Sequence, residues 1–317
     1  MEQADKDQMT DGLTFVSYFG YNERLTPQRP FMFDSFGDIR WYLDFQSNQQ
    51  LANLFYDVGM ERLQNGNLYF GDGSTNKIYE INMLGEVVNS WDMPGYGFHH
   101  QVTEKPNGNF LATVNKLGAS TVEDHVIEID RSSGDIINIW DLNKSLDDTR
   151  TAWDTDLADI SVDWFHANSV EYDDSDNTII VSGRTQGVVK LNENNEVVWI
   201  IAPHKGWKTS GNGTDLSQFL LQPLDANNDP ITDNAVLAGD QNHPDFEWAW
   251  YQHAIQIMPS HFFFSPGAVS YESTYYGKVI EMDYNQKQVL FEATIIPPTA
   301  PYGITFHRTE RMPIYGK

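Results

Sequence analysis

Three histidines in similar surroundings are the residues of this sequence with the clearest potential for chemistry. They are His100, His166 and His253, and they lie in the stretches 98–102, 164–170 and 250–257. In each stretch an aromatic residue comes one to three positions before the histidine, and an apolar run follows. Because imidazole titrates near neutral pH, it can act as a nucleophile, a proton carrier or a donor to an anion. We interpret the stretches as parts of one site, contributed by three repeats.

Two further polar residues extend this interpretation toward anion chemistry. Arg184 follows His166 by 18 residues, so we expect it on the next strand, near the same end of the repeat. Its guanidinium group offers a rigid fork of donors suited to an oxyanion. Asn168 lies two residues after His166 and can point in the same direction on a strand. Taken alone, each histidine could instead be a core residue and Arg184 a surface ion pair.

A metal site is the competing interpretation of the three histidines, since imidazole also suits zinc or copper. No Asp or Glu shares the positions of the histidines, and neither a His-x-His nor a His-Glu-x-x-His pattern occurs. We therefore predict no metal and no cofactor.

An internal repeat predicts the elements that position these residues. A turn followed by a strand starts at Gly37, Gly85 and Gly134, so the repeat is about 50 residues long, a period typical of propeller blades. Similar turns lead to an aromatic residue at Trp199 and Phe291. The sequence therefore predicts an all-β fold, a β-propeller of four-stranded blades, with five clear blade units. We expect each histidine to open the innermost strand of its blade, beside the central axis.

The whole chain, residues 1–317, is predicted to form a single β-propeller domain. Residues 1–11 are polar and acidic, which indicates a disordered or trimmed N-terminus without a signal peptide. Residues 205–249 are rich in Gly, Asn, Asp and Pro and form a long insertion between blades. Because long loops in compact domains are often functional, this insertion could form a wall of the site.

The composition limits the classes of molecule that the protein can bind. The net charge is -25, with 45 acidic residues against 20 basic ones, so nucleic acid and anionic membranes are poor partners. The chain has no cysteine, which excludes disulfides, thiolate metal sites and cysteine nucleophiles. If the substrate is an anion, the site must supply its own positive charge.

Several motifs resemble those of the bacterial arylsulfate sulfotransferases that do not depend on nucleotide-activated sulfate. They are FHHQV at 98–102, PNGN at 106–109, WFHANS at 164–169, VSGRTQ at 181–186, PHKGW at 203–207, WYQHAI at 250–255 and RTERMPIY at 308–315. The resemblance implies a six-bladed propeller with its active site at the central axis. It also implies transfer of a sulfuryl group from a phenolic sulfate ester to a phenol, by a ping-pong path through a sulfohistidine. A periplasmic or secreted location would follow.

The resemblance assigns roles to particular residues. His253 matches the nucleophile, whereas His100, His166, Asn168 and Arg184 match the groups around the sulfate. We give the proton transfers to His166 and the sulfate oxygens to Arg184, Asn168 and His100. A nucleophilic His253 must be neutral at its attacking nitrogen, while a donating His166 must be protonated.

Two neighbouring side chains, His99 and Phe165, are expected to contact the substrate. The implied partners are small molecules, an aryl sulfate donor and a phenolic acceptor, and the sequence is compatible with a homodimer. The chain departs from the family in lacking the N-terminal β-sandwich domain, and about one blade of sequence is missing around residues 260–265. The alternatives are a non-catalytic propeller that binds anionic or aromatic ligands and a metal-dependent propeller hydrolase.

Overall fold

The computed structural model describes residues 12–17, 28–151, 162–248, 252–258, 261–269, 275–283 and 288–295. Within these residues the protein is an all-β chain of five antiparallel sheets, four of them four-stranded. The chain divides into two compact units, and the boundary lies between Met93 and Pro94. The expected N-terminal segment 1–11 and the motif at 308–315 lie outside the described residues.

The first unit contains two sheets. The three-stranded sheet consists of β1 (Leu13–Val16), β2 (Phe31–Asp34) and β3 (Ile39–Tyr42). The four-stranded sheet consists of β4 (Glu61–Arg62), β5 (Leu68–Asp72), β6 (Lys77–Ile81) and β7 (Val87–Asp92). Buried apolar side chains, among them Phe45, Tyr56 and Phe70, pack together in this unit. The indole Nε1 of Trp41 donates to the carbonyl of Met83, 2.8 Å away, in the turn after β6.

The second unit contains three four-stranded sheets. The first consists of β8 (Tyr96–Glu104), β9 (Phe110–Lys116), β10 (His125–Ile129) and β11 (Ile136–Asp141). The next consists of β12 (Ala167–Asp173), β13 (Thr178–Gly183), β14 (Gly187–Leu191) and β15 (Val197–Ile201). The last consists of β16 (Gln252–Met258), β17 (His261–Val269), β18 (Tyr275–Asp283) and β19 (Gln288–Ile295). In each sheet every strand pairs with the next one in sequence, which is the topology of a propeller blade.

The turns confirm the prediction of repeated hairpins. Gly37, Gly85 and Gly134 have φ values of 81°, 80° and 79°, and Asn195 has a φ of 62°. A left-handed residue of this kind joins two antiparallel strands tightly, and glycine or asparagine adopts it at least cost. The five units expected from the sequence correspond to the five sheets.

The sheet that contains His253 lies at the point where the sequence indicated that about one blade is missing, around residues 260–265. β16 and β17 form a hairpin there with Met258 opposite His261, and β18 and β19 complete four strands. The strand of His253 therefore belongs to a full blade.

First strands lie side by side in the second unit, where β12 contacts both β8 and β16. A large core cluster fills the space between the sheets that begin with β8 and β12, and it includes Trp140, Trp164 and Phe165. Trp140 also donates its indole hydrogen to the carbonyl of Asn192, 2.8 Å away, in the next sheet. Burial of these aromatic rings fixes the inner strands relative to one another.

Helices are short in the described residues. They are α1 (Leu142–Ser145), a 3-10 turn (Leu216–Phe219) and α2 (Asn234–Ala238). Two of them lie in the 205–249 insertion, where Asp233 caps the first amides of α2 and Gly239 ends it in a left-handed conformation. Among the described helices, none has the length and apolarity needed to cross a bilayer.

Candidate active site

A β-bulge interrupts each of the three first strands of the second unit. The pairing of β8 shifts between Phe98 and Val102, that of β12 between Ala167 and Ser169, and that of β16 between His253 and Ile255. Positive φ values accompany the bulges, at His100 (59°), His166 (56°) and Ala254 (52°). Non-glycine residues rarely adopt such values, and bulges often redirect side chains next to active sites. The backbone is thus distorted at the same level of three neighbouring strands.

The three histidine rings converge at this level. His100 Nε2 and His166 Nε2 are 3.1 Å apart, and the centroid of the His253 ring lies 6.0 Å from that of His100 and 6.3 Å from that of His166. His166 and His253 are buried. The structure therefore brings all three predicted histidines together.

Their positions along the strands differ from the expectation that each opens its strand. His253 is the second residue of β16, as expected, but His166 directly precedes β12 and His100 lies in the middle of β8. The bulges lie at these histidines: β8 gains two residues relative to its partner strand, and β12 and β16 gain one each, which shifts the side chains that face the site.

Two carboxylates that the sequence analysis missed contact the histidines. His166 Nδ1 lies 2.5 Å from Glu123 Oε2 and 2.7 Å from Asp163 Oδ2. The other oxygen of Glu123 lies 2.8 Å from His99 Nε2. Acidic residues are thus absent from the histidine stretches but not from the site. Asp163 stands three residues before His166, which was an available signal, whereas nothing near Glu123 in sequence pointed to it.

The carboxylates separate the pKa values of the two paired histidines. Burial alone would lower the pKa of His166, but hydrogen bonds with Asp163 and Glu123 outweigh it and raise that pKa. Burial lowers the pKa of His100 well below its ordinary value, and the neighbouring histidines lower it further. His166 therefore binds a proton more readily than His100. In that state His166 Nε2–H donates to the bare Nε2 of His100, and the His100 proton lies on Nδ1.

Glu123 is held in the charged form. Burial would raise its pKa, but hydrogen bonds from His166 and His99 outweigh that effect and lower the pKa far below its ordinary value. A charged carboxylate therefore faces His166 throughout the neutral range.

Arg184 lies beside the histidines, as expected for a residue just after β13. Its backbone amide donates to the carbonyl of His166 at 3.0 Å. Its guanidinium Nη2 lies 3.5 Å from Asp163 Oδ2, the carboxylate that also contacts His166 Nδ1. The Arg184 side chain is 18% exposed, so the group is partly desolvated. A guanidinium group in this position offsets the charge of Asp163 and offers donors that suit an anion.

Asn168 connects two of the inner strands. Its side-chain amide donates to the carbonyl of Gln252 at 2.6 Å, next to His253. Oδ1 of Asn168 is buried and accepts no hydrogen bond from the described residues. The side-chain amide of Asn168 therefore holds the strand of His253, while its Oδ1 can still accept a hydrogen bond.

Phe165 is a correction to the predicted set of substrate contacts. Its side chain is fully buried and belongs to the core cluster that contains Trp140 and Trp164, so it has no surface left for a ligand. The ring packs on Gly183, where an added Cβ would lie only 2.5 Å from its Cζ. His99, by contrast, keeps 22% of its side chain exposed and contacts His100, with ring centroids 3.9 Å apart.

Two sets of side chains could also surround a cation. Ligand atoms of His100, His166 and His253 lie within 4.8 Å of one another, and so do those of Glu123, Asp163 and His166. Three imidazoles can hold zinc, although the short contact between His100 and His166 already satisfies one nitrogen of each ring.

The fold and site define a class of protein, an all-β chain of propeller blades with a histidine-lined site where first strands of consecutive blades meet. The chain belongs to the arylsulfotransferase (ASST) family, whose model matches residues 1–265.

Curated relatives agree with this assignment. The chain is similar to the arylsulfate sulfotransferase AssT of Escherichia coli O6:H1 (strain CFT073), with 31% identity over 72% of this chain. It is similar to AssT of Lelliottia amnigena, with 30% identity over 70% of this chain. The matches cover 44% and 43% of these relatives, so the chain spans less than half of their length.

Solved structures resemble the chain only distantly. A streptogramin B lyase has a TM-score of 0.41 and 13% identity, with 90% of this chain and 88% of that chain covered. The β-propeller domain of Cps50 (Swd1) from Myceliophteria thermophila has a TM-score of 0.40 and 7% identity, with 75% and 54% covered.

Proposed function

We propose that this protein is a nucleotide-independent aryl sulfate sulfotransferase that moves a sulfuryl group from a phenolic sulfate ester to a phenol. The observation that carries the proposal is the convergence of His100, His166 and His253, together with Arg184, in a chain of this family. The reaction follows a ping-pong path through a sulfohistidine at His253.

The first half-reaction consumes the donor. A ring nitrogen of His253 attacks sulfur, the bond between sulfur and the phenolic oxygen breaks, and its electron pair stays on that oxygen. His166 gives its Nε2 proton to the leaving oxygen, and the directions of the two histidine pKa shifts support this assignment. The phenol leaves, and the sulfuryl group remains on His253.

The second half-reaction is the reverse with a new phenol. His166, now neutral at Nε2, takes the hydroxyl proton of the acceptor while the phenolic oxygen attacks sulfur. The bond between sulfur and nitrogen breaks, and its electron pair returns to His253. Atoms and charges balance over the two halves without any cofactor.

Arg184, Asn168 and His100 stabilise the transferring group. Charge in a sulfuryl-transfer transition state spreads over the three equatorial oxygens, by analogy with phosphoryl transfer, so positioned donors contribute much of the catalysis. Removing one such donor typically costs ~100- to 1,000-fold in rate. Local donors are essential because the protein carries a net charge of -25 and repels anions at long range.

The test is phenol-dependent release of nitrophenol from 4-nitrophenyl sulfate without any nucleotide, in wild type beside His253→Asn. We expect turnover in wild type and none in the variant, with label from a sulfur-labelled donor retained on wild-type protein only. His243→Asn is a matched control, since His243 is a partly exposed histidine of the 205–249 insertion. Equal activity and labelling in wild type and His253→Asn would refute the sulfohistidine.

A metal-dependent hydrolase is the second candidate, favoured by the close approach of the three histidine ring nitrogens. The two functions differ in acceptor and in metal. The sulfotransferase keeps its activity after treatment with a chelator and makes a phenyl sulfate product. A hydrolase would lose activity with its metal and release inorganic sulfate.

We further propose a periplasmic or secreted location, which the family resemblance supports. Fractionation of cells that express the complete gene product checks it, and recovery of the protein in the cytoplasm alone would contradict it.

A further inference from the structure

Glu123 contacts two histidines of the site at once. Its carboxylate bridges His99 Nε2 and His166 Nδ1, at 2.8 Å and 2.5 Å. We propose that Glu123 is a positioning residue that keeps a proton on His166 Nδ1 and so aims His166 Nε2 at the leaving oxygen of the donor. This inference rests on the proposed function for its catalytic consequence, but the geometry of the ring can be tested without turnover.

The backbone holds Glu123 in a strained conformation. Its φ is 57°, a value that a long side chain rarely adopts. The amide of Glu123 donates to Asn115 Oδ1 at 2.7 Å, and its carbonyl accepts from the amide of Ala167 at 2.7 Å. Strain of this kind persists only where the surroundings enforce it, and it concentrates at functional sites. Since Ala167 directly follows His166, the same contacts that enforce the strain join Glu123 to the histidine it orients.

A buried polar cluster next to Glu123 holds its backbone in place. Asp124 is fully buried and accepts from Asn143 Nδ2 at 2.6 Å and Trp164 Nε1 at 3.1 Å. His125 Nδ1 lies 2.7 Å from the other oxygen of Asp124. The residue after Glu123 is thereby tied to Trp164, two positions before His166. Both sides of the contact between Glu123 and His166 are fixed.

Charged and titratable groups other than Glu123 also face His166. Asp163 contacts the same Nδ1, His100 contacts Nε2, and Arg184 and His253 lie nearby. Asp163 is shared with the Arg184 guanidinium, whereas the two oxygens of Glu123 each contact a histidine. Both carboxylates face His166 Nδ1: Glu123 Oε2 is the nearer oxygen, at 2.5 Å, while Asp163 Oδ2, at 2.7 Å, is placed to accept its hydrogen bond.

The kinetic test compares two donors that differ in leaving group. Phenolate is a poor leaving group and needs a proton from His166, while 4-nitrophenolate leaves without one. In Glu123→Gln we expect kcat/KM for phenyl sulfate to fall ~100-fold more than for 4-nitrophenyl sulfate, since general acid catalysis contributes ~100- to 10,000-fold. Glu123→Asp keeps the charge but shortens its reach, so it should share the selective loss.

The matched control is Glu128→Gln. Glu128 is a buried carboxylate on the adjacent strand β10 that pairs with Lys105, and it contacts none of the site histidines in the described residues. It should leave the ratio of the two donors unchanged. Equal losses with both donors in Glu123→Gln, or a Glu123→Asp enzyme with the wild-type ratio, would overturn the proposal.

The structural test does not depend on turnover. The 15N shifts of the imidazole nitrogens, assigned with His166→Gln, report which nitrogen carries the proton in the neutral ring. We expect His166 to be protonated at Nδ1 in wild type and to lose that preference in Glu123→Gln, while Asp163→Asn measures the contribution of the second carboxylate. A ring that stays protonated at Nδ1 in Glu123→Gln would refute the role of Glu123, even if the protein transfers no sulfate. If the ring responds as expected but wild type has no sulfotransferase activity, the proposed function fails and the positioning role stands.

Discussion

Gly183→Ala provides a sharp test of how the core sets the geometry of the site. Gly183 ends β13 and does not have a positive φ, so an alanine meets no backbone penalty there. Its Cβ would lie 2.5, 2.6 and 2.7 Å from Cζ, Cε1 and Cε2 of Phe165. Ordinary contacts between carbon atoms are about 3.5 to 4.0 Å, so the ring must retreat by about 1 Å.

Displacement of the Phe165 ring should reduce both the stability and the activity of the protein. Phe165 and Trp164 are both buried in the dense core, so no empty space receives the ring, and overpacking of this kind costs about 1 to 3 kcal/mol. Phe165 also directly precedes His166, and a displacement of ~1 Å in a reacting group can cost ~100-fold in rate. We expect both losses together, in urea melts and in nitrophenol release. Gly108→Ala, where the φ is 88° and no atom lies within 4 Å of the added Cβ, is the control for backbone strain alone.

A double-mutant cycle with Phe165→Leu separates the clash from other effects. A leucine leaves room for the added methyl group, so the double variant should be more stable than the sum of the two single changes predicts. Purely additive losses, or a Gly183→Ala protein with wild-type stability and turnover, would refute the reasoning.

Two further predictions concern stability. Lys190 pairs with the buried Asp173 at 2.7 Å and with the more exposed Asp176 at 2.8 Å. Asp173→Asn removes a buried counter-charge, so in urea melts it should lower the free energy of unfolding by about 3 kcal/mol. Asp176→Asn should lower it by about 1 kcal/mol or less. Equal losses of stability in the two variants would contradict the larger contribution of Asp173. The raised pKa of His166 adds stability that is fully present below its ordinary value of 6.5 and is lost as the pH rises through the raised pKa. The stability advantage of wild type over His166→Gln should therefore be larger at pH 5.5 than at pH 8.5, and a constant difference would count against the ion pair.

The blades could be predicted from the sequence because their signals are local. A hairpin turn needs a residue that tolerates a positive φ, and Gly37, Gly85, Gly134 and Asn195 stand where the structure has such turns. The convergence of the histidines followed from the repeat, since equivalent strands of consecutive blades lie next to each other.

The bulges and the carboxylates could not be predicted in this way. A bulge adds residues to a strand without changing its composition, so the depth of His100 within β8 left no trace in the sequence. Glu123 reaches His166 from the connection between β9 and β10, and Asp163 stands at the end of an acidic stretch that is typical of a solvated loop. Phe165 was predicted to contact the substrate because it precedes His166, but its side chain is buried in the core and packs on Gly183.

Consecutive sheets are joined by a recurring contact. In each unit a tryptophan from the last strand of one sheet, Trp41 or Trp140, donates to a carbonyl in the turn that precedes the last strand of the next sheet, at Met83 or Asn192. The acceptor is a backbone atom, so its identity does not depend on the side chain at that position. A joint of this kind survives duplication of a unit, because a copied blade brings both the indole group and the carbonyl needed by its neighbours. Blade number can therefore change through gene rearrangement while the contact between neighbours stays the same.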